Sequence, residues 1–302
     1  DQRWRMLAGG SRHSCGIRED GALFCWGTNV HGQLGTGDTM GRLTPARVGD
    51  ASDWVSIACG GLHTCAVRGD GTLWCFGSNP AGQVGREMAG DYPTPQQAGS
   101  DHTWAHVTAK ARFNCALSRD KNLWCWGDNS NGQIGVGDTS DRRSPQPVAA
   151  PRQFAAVAPG PLHTCALGSD GSLWCWGLGA AGRLASSDSG DRVLPQAVEG
   201  RSDWSVVASG FDNSCAITGS KLFCWGANAS GKLGVGDKDD RTTPTPVAEE
   251  IAWKAVALGM NHGCALAESG RVYCFGDGGR VELGAGATHA ASVPTPICIG
   301  SN

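Results

Sequence analysis

The stretch His163–Gly177, HTCALGSDGSLWCWG, holds the residue types most able to do chemistry in this chain. His163 stands two residues before Cys165, and Cys175 follows between Trp174 and Trp176. A thiol becomes a nucleophile when a neighbouring imidazole takes its proton. Cysteines and a histidine can also hold zinc. Two cysteines opposed across a hairpin would instead bond to each other. The trio recurs, with His13 before Cys15, His63 before Cys65 and His262 before Cys264, while Asn114 and Asn213 are read as standing in for histidine before Cys115 and Cys215. Several equivalent copies do not suit a single active site, so no catalytic residue is expected. Structural zinc usually draws on cysteines two to four residues apart, a spacing these pairs lack, so no metal is expected either.

The copies set the element plan. Cysteines at 15, 65, 115, 165, 215 and 264, and a second set at 25, 75, 125, 175, 224 and 274, mark a repeat of about 50 residues. The repeats run approximately over 1–50, 51–100, 101–150, 151–200, 201–249 and 250–302, read together as a single domain. Glycine is abundant, at 46 residues, and no segment carries a long helical period. The first repeat reads as four strands, near Trp4–Ala8, Ser14–Arg18, Ala22–Trp26 and Leu43–Val48, with proline in the fourth as suits an edge strand. Four-stranded units at this period predict an all-β fold, a β-propeller of six blades.

The second and third strands predict the cysteine chemistry. Glu19-Asp20-Gly21 forms a three-residue loop with glycine last, suited to a type I turn with a G1 bulge. Counting outward pairs Ile17 with Leu23, Gly16 with Phe24, and Cys15 with Cys25. The fifth repeat is a test: its loop, Gly219-Ser220, is one residue shorter, and so is its cysteine spacing, which keeps Cys215 opposite Cys224. One disulfide per blade is therefore expected: Cys15-Cys25, Cys65-Cys75, Cys115-Cys125, Cys165-Cys175, Cys215-Cys224 and Cys264-Cys274. Cys59 and Cys298 fall outside the pattern and are read as a seventh pair, Cys59-Cys298. Paired cysteines in this number point to an oxidising, extracellular or secreted location.

The 12 tryptophans occupy three repeated positions that also accept Phe or Tyr, so bulk rather than the indole is what those positions require. The residue opposite the second aromatic is always small: Gly16, Ala66, Ala116, Ala166, Ala216 or Ala265. Alternation along a strand then gives each blade an aromatic face and a disulfide face, and the aromatic face is expected to stack on the next blade's disulfide face.

HTCALGSDGSLWCWG, NVHGQLGTGD (29–38) and NSNGQIGVGD (129–138) resemble repeats of the regulator of chromosome condensation family, here as a secreted, cysteine-paired variant. The resemblance covers nearly the whole chain and implies a propeller, commonly seven-bladed in that family; six repeats are visible here. The fourth and sixth repeats depart from the pattern, with GAAGRLASSDSGD and GDGGRVELGAGATHA. The family's namesake is an exchange factor for a small GTPase, and relatives include an enzyme inhibitor and cysteine-bearing receptor ectodomains. Resemblance to these implies recognition without catalysis.

Functional candidates are correspondingly few. His13, His63, His163 and His262 are rim candidates, with a metal-binding ring as their alternative role. Asp141 with Arg142 and Asp240 with Arg241 read as solvated ion pairs. Asn228 opens the sequon Asn228-Ala229-Ser230, a glycosylation candidate, yet it shares a slot with Asn29, Asn79 and Asn129, which predicts a buried amide. A net charge of -3 without a basic cluster argues against a nucleic-acid partner. No apolar run reaches the roughly 18 residues of a membrane helix, and no signal-peptide pattern is present. The reading is a non-enzymatic extracellular propeller without cofactors, acting as a recognition or scaffold module for a protein or glycan. The alternative is a self-associating subunit of an extracellular assembly. The long loops after the third strands vary most, at 86–92, 186–192 and 280–289, and are the expected binding rim.

Overall fold

In the computed structural model, residues 3–100, 102–150, 152–279, 283–284 and 290–297 are described. Strands β1 (Trp4–Gly9), β2 (His13–Arg18), β3 (Leu23–Gly27) and β4 (Arg42–Arg47) form the first blade in the order β1-β2-β3-β4. Five more four-stranded antiparallel sheets repeat this order, giving a six-bladed all-β propeller. The strands lie within a residue of their expected bounds because short apolar alternations are bounded by glycine turns. Gly21 (φ 79°) ends the three-residue loop, and Gly219 (φ 56°) opens the two-residue one. Each fourth strand is an edge strand, which is where prolines are tolerated.

Register follows the sequence count. Cys15 faces Cys25, Gly16 faces Phe24 and Ile17 faces Leu23. In the fifth blade Cys215 faces Cys224 and Thr218 faces Lys221. All six hairpins thus hold a cysteine pair at disulfide distance, with Cα atoms 4.1 Å apart. Cys298, the proposed partner of Cys59, lies outside the described residues, as do 280–282 and 285–289 of the last long loop.

The chain divides into two compact halves, Asp1–Phe154 and Ala155–Asn302. In the first, Cys15, Ile17, Leu23 and Cys25 pack on Trp54, Ile57, Ala66 and Phe76 of the second blade. Cys65, Val67, Leu73 and Cys75 pack likewise on Trp104, Val107, Ala116 and Trp126 of the third. The second half repeats this twice, ending with Cys215, Ile217 and Leu222 on Trp253, Ala265 and Phe275. The disulfide face therefore meets the aromatic face of the blade that follows, so the stacking sense is the reverse of the expected one. Small residues opposite the second aromatic make the room: a Cβ on Gly16 would lie 2.7 Å from the Trp4 ring. Among the described residues no helix is long and apolar enough to cross a membrane.

Candidate functional site

The repeated histidines are placed where blades meet. His13, His63 and His163 are buried, whereas His262 is half-buried. Each of the three lies directly across its hairpin from a glycine of the third strand, as His13 does from Gly27. The third blade carries Phe113 in this slot, opposite Gly127, and Asn213 occupies it in the fifth. Asn114 lies one residue further on, so it is not the histidine's counterpart.

Hydrogen bonds define what these rings do. Thr64 Oγ1 donates to Gln33 O at 2.9 Å, so it accepts from His13 Nε2–H at 2.8 Å. Asn114 Nδ2 donates to Gln83 O, leaving Oδ1 to accept from His63 Nε2–H at 2.8 Å. Ser214 Oγ donates to Arg183 O and accepts from His163 Nε2–H at 2.8 Å. All three rings are thereby assigned the Nε2–H tautomer, with Nδ1 buried and without a partner among the described residues. Burial pushes His13 and His63 down to about 4 and His163 to about 3, so they are neutral at physiological pH. The glycine of Gly-x-x-His has a steric reason: a Cβ on Gly60 would lie 2.1 Å from His63 Cε1.

One group of ligand atoms does converge. His13, Cys15 and Cys59 bring a ring nitrogen and two sulfurs within 4.8 Å of one another. Cys15 Sγ is at bonding distance from Cys25, and burial pushes the Cys59 thiol up to about 12. Neither sulfur is then a thiolate, which is the form a metal needs.

The acidic loops are also taken up locally. Arg42, Arg142, Arg192 and Arg241 pair with the aspartates four residues earlier, Asp38, Asp138, Asp188 and Asp237. Asp141 and Asp240, the partners expected for Arg142 and Arg241, instead accept the backbone N–H groups of Asn129 and Asn228. Asn228 is buried, its Nδ2 donating to Asp237 O at 3.0 Å and its Oδ1 accepting from Leu233 N–H at 2.9 Å. A glycan on Nδ2 would have to break that clamp.

The fourth blade departs from the repeat in its backbone. Ala185 (φ 59°) stands where Gly35, Gly85, Gly135 and Gly234 adopt positive φ, and Ser189 (φ 48°) is strained in the same sense. Beside them a cavity of about 470 Å³ is lined by Ser187, Asp188, Arg192, Glu199, Arg201 and Trp204, among others. Trp104 and Trp253 donate to the carbonyls of Gly99 and Val247, whereas the buried Nε1–H groups of Trp54 and Trp204 have no acceptor among the described residues. The Arg201 guanidinium lies 4.5 Å from the Phe223 ring centroid and has no carboxylate partner among the described residues. The Arg192 ion pair, helped by Gly190 N–H and Ser186, holds Asp188 down at about 2. The cavity thus offers an unpaired guanidinium, a fixed ion pair and hydroxyls. It has the makings of a polar binding site. It lacks a paired acid and base or an activated nucleophile.

With the blade geometry established, comparison with known proteins places the chain. The model of the RCC1-like domain matches residues 48–301, and that of the regulator of chromosome condensation (RCC1) repeat matches residues 20–67. The chain belongs to the RCC1-like propeller family. Human WBSCR16 superposes with a TM-score of 0.88 over 99% of this chain and 82% of that one, at 21% identity. Saccharomyces cerevisiae Prp20p, described with binding properties to Gsp1p and histones, gives 0.84 over 97% and 76%, at 22% identity. At these identities the likeness is one of fold. The ultraviolet-B receptor UVR8 of Arabidopsis thaliana is 46% identical over 46 residues, which are 15% of this chain and 10% of the receptor. The chain spans a tenth or less of the length of the curated relatives it matches.

Proposed function

We propose that this RCC1-like propeller is a non-enzymatic recognition scaffold of an oxidising, extracellular compartment, holding a protein or glycan through its unit-specific loops. The observation that carries the reading is the division of labour between repeated and unrepeated residues. Histidines, asparagines and aspartates that recur are spent on blade-to-blade contacts and loop clamps. Ser187, Glu199 and Arg201, which take part in none of these repeated contacts, line the fourth-blade cavity. Six cysteine pairs in hairpin register support the compartment, since such pairs persist where thiols are not kept reduced. Prp20p, of the same fold, is described as binding proteins, which makes a protein the first class of partner to test.

The test compares the wild-type chain with Ser187→Trp, which fills the cavity, and Arg201→Glu, which reverses its free charge. Each is screened against a glycan array and a display library of extracellular proteins. Ligands of the wild type are expected to be lost by both variants while thermal unfolding stays unchanged. Ligands that bind all three chains equally would remove the cavity from the account.

A further inference from the structure

The third blade closes its hairpin turn differently from its sister blades. In the first, second and fourth, the loop aspartate clamps its own turn. Asp20 accepts from Ala22 N–H at 3.1 Å, Asp70 from Thr72 N–H at 2.8 Å, and Asp170 from Ser172 N–H at 3.1 Å. The loop of the third blade is Asp120-Lys121-Asn122. There Ser118 Oγ accepts from Asn122 N–H at 3.2 Å instead. Gln153 Nε2 holds the Asp120 backbone carbonyl at 2.9 Å, while the Asp120 carboxylate has no partner among the described residues. The same is true of the Asn122 side-chain amide.

A donor is released with them. Trp74 and Trp174 donate Nε1–H to the hydroxyls of Thr72 and Ser172, both at 2.8 Å. Trp124 holds the same register, opposite Ala116 as Trp74 is opposite Ala66. Asn122 stands where those hydroxyls do, and Trp124 Nε1–H is buried without an acceptor among the described residues. An unmet buried donor costs about 1–3 kcal/mol. His102 stacks on Trp124 with ring centroids 4.0 Å apart and meets Trp104 edge-on, so the indole is held in place.

These groups share one cavity. It measures about 330 Å³ and is lined by Asp120, Asn122, Trp124, His102 and Thr103 among others. That is the lower end of the range for small-molecule sites. The lining selects the occupant. The carboxylate only accepts, the indole N–H only donates, and the amide does both. A cation would answer Asp120 and leave the indole unmet. An anion would answer the indole and face the carboxylate. A hydroxyl both gives and takes a hydrogen bond, and adjacent hydroxyls on a rigid ring can serve all three groups at once.

We propose that the third-blade cavity binds a neutral sugar ring, whose adjacent hydroxyls donate to Asp120, accept from Trp124 Nε1–H and bond the Asn122 amide. The site lies within the first compact half and shares no residue with the fourth-blade cavity. It therefore stands or falls separately from the recognition role proposed above.

The test adds methyl glycosides of glucose, galactose, mannose and N-acetylglucosamine to the isotope-labelled full chain and follows its indole N–H signals by NMR. Trp124→Phe assigns the Trp124 signal and keeps the fold, since Phe24 and Phe223 fill that slot in other blades. At least one glycoside is expected to shift this signal at millimolar concentration. Asp120→Asn is expected to weaken that binding at least about tenfold. Asn122→Thr, which puts a hydroxyl where Thr72 has one, is expected to abolish the shift with the melting temperature unchanged or higher. A second arm offers a high-mannose glycoprotein before and after enzymatic removal of its glycans. Binding of the glycosides themselves marks a free sugar as the source, and binding that needs the intact glycoprotein marks a glycan terminus. The proposal is overturned if neither moves the Trp124 signal, or if Asp120→Asn and Asn122→Thr bind as the wild type does. It is overturned equally if ethylammonium or inorganic phosphate shifts the signal and the sugars do not.

Discussion

His13, His63 and His163 each join their blade to the next through one buried hydrogen bond. Read once, His163 beside Cys165 invites catalysis; in place, it is a neutral donor clipped to Ser214 of the next blade. This has a consequence in acid. The folded-state pKa values of His13, His63 and His163 lie below the ordinary 6.5. Between that value and about 4 the unfolded chain binds more protons than the folded one, so stability rises with pH and is lost as pH falls. Each such histidine contributes a slope of up to about 1.4 kcal/mol per pH unit across that window. Replacing His63 by Asn, as Asn213 stands in the same slot, is expected to flatten the slope of stability against pH between roughly 4 and 6.5. Chemical denaturation at a series of pH values reads it, and an unchanged slope would mean that His63 is not buried neutral. The recurrence of the trio was enough to predict a structural role. The tautomer was not legible, because the acceptors lie about 50 residues away on another blade. Nor was the true counterpart of His13, since only the register shows that Phe113 rather than Asn114 fills that slot.

At the scale of the hairpin, turn chemistry and side-chain size make separate demands. Gly21 meets both: its φ is 79°, and a Cβ there would lie 2.1 Å from the backbone oxygen of Ser52. Gly21→Ala is expected to destabilise the protein by about 2 kcal/mol or more, combining the left-handed penalty with the clash. A drop in melting temperature measures it. Lys121 occupies the equivalent turn position in the third blade at φ 62°, so Lys121→Gly is expected to be neutral or stabilising by up to about 1 kcal/mol. A Gly21→Ala loss no larger than the left-handed penalty of about 1 kcal/mol would show that contact with Ser52 has no part in it. Replacing the pair Cys15 and Cys25 by alanine is expected to cost about 2–3 kcal/mol by denaturant titration under oxidising conditions, and nearly nothing against a reduced reference. Hairpins like these were legible residue by residue, since loop length and cysteine spacing shorten together in the fifth repeat. The fourth-blade cavity was legible only as a departure from pattern. Its lining includes Ala185, left-handed where four other blades carry glycine, and Trp204 from the blade that follows, and no single residue type announces that they meet.

For the whole molecule, six repetitions of one rule made the propeller readable where a single repeat would not. The proposed compartment makes a plain prediction: in the native, non-reduced protein, the twelve hairpin cysteines resist alkylation, and reduction under denaturing conditions releases all of them. Mass spectrometry counts the adducts, and ready labelling of several hairpin pairs before reduction would overturn the extracellular assignment. One feature of those pairs reaches beyond stability. Eight cysteines alone could be joined in roughly a hundred ways, and twelve in far more. Yet each cysteine here finds its mate nine or ten residues along the chain, inside a single hairpin. Oxidation can therefore follow synthesis one repeat at a time, each choice made before the next cysteine competes. A gene that gains or loses a repeat then leaves every remaining linkage as it was, so this architecture can change its number of blades without relearning how to fold.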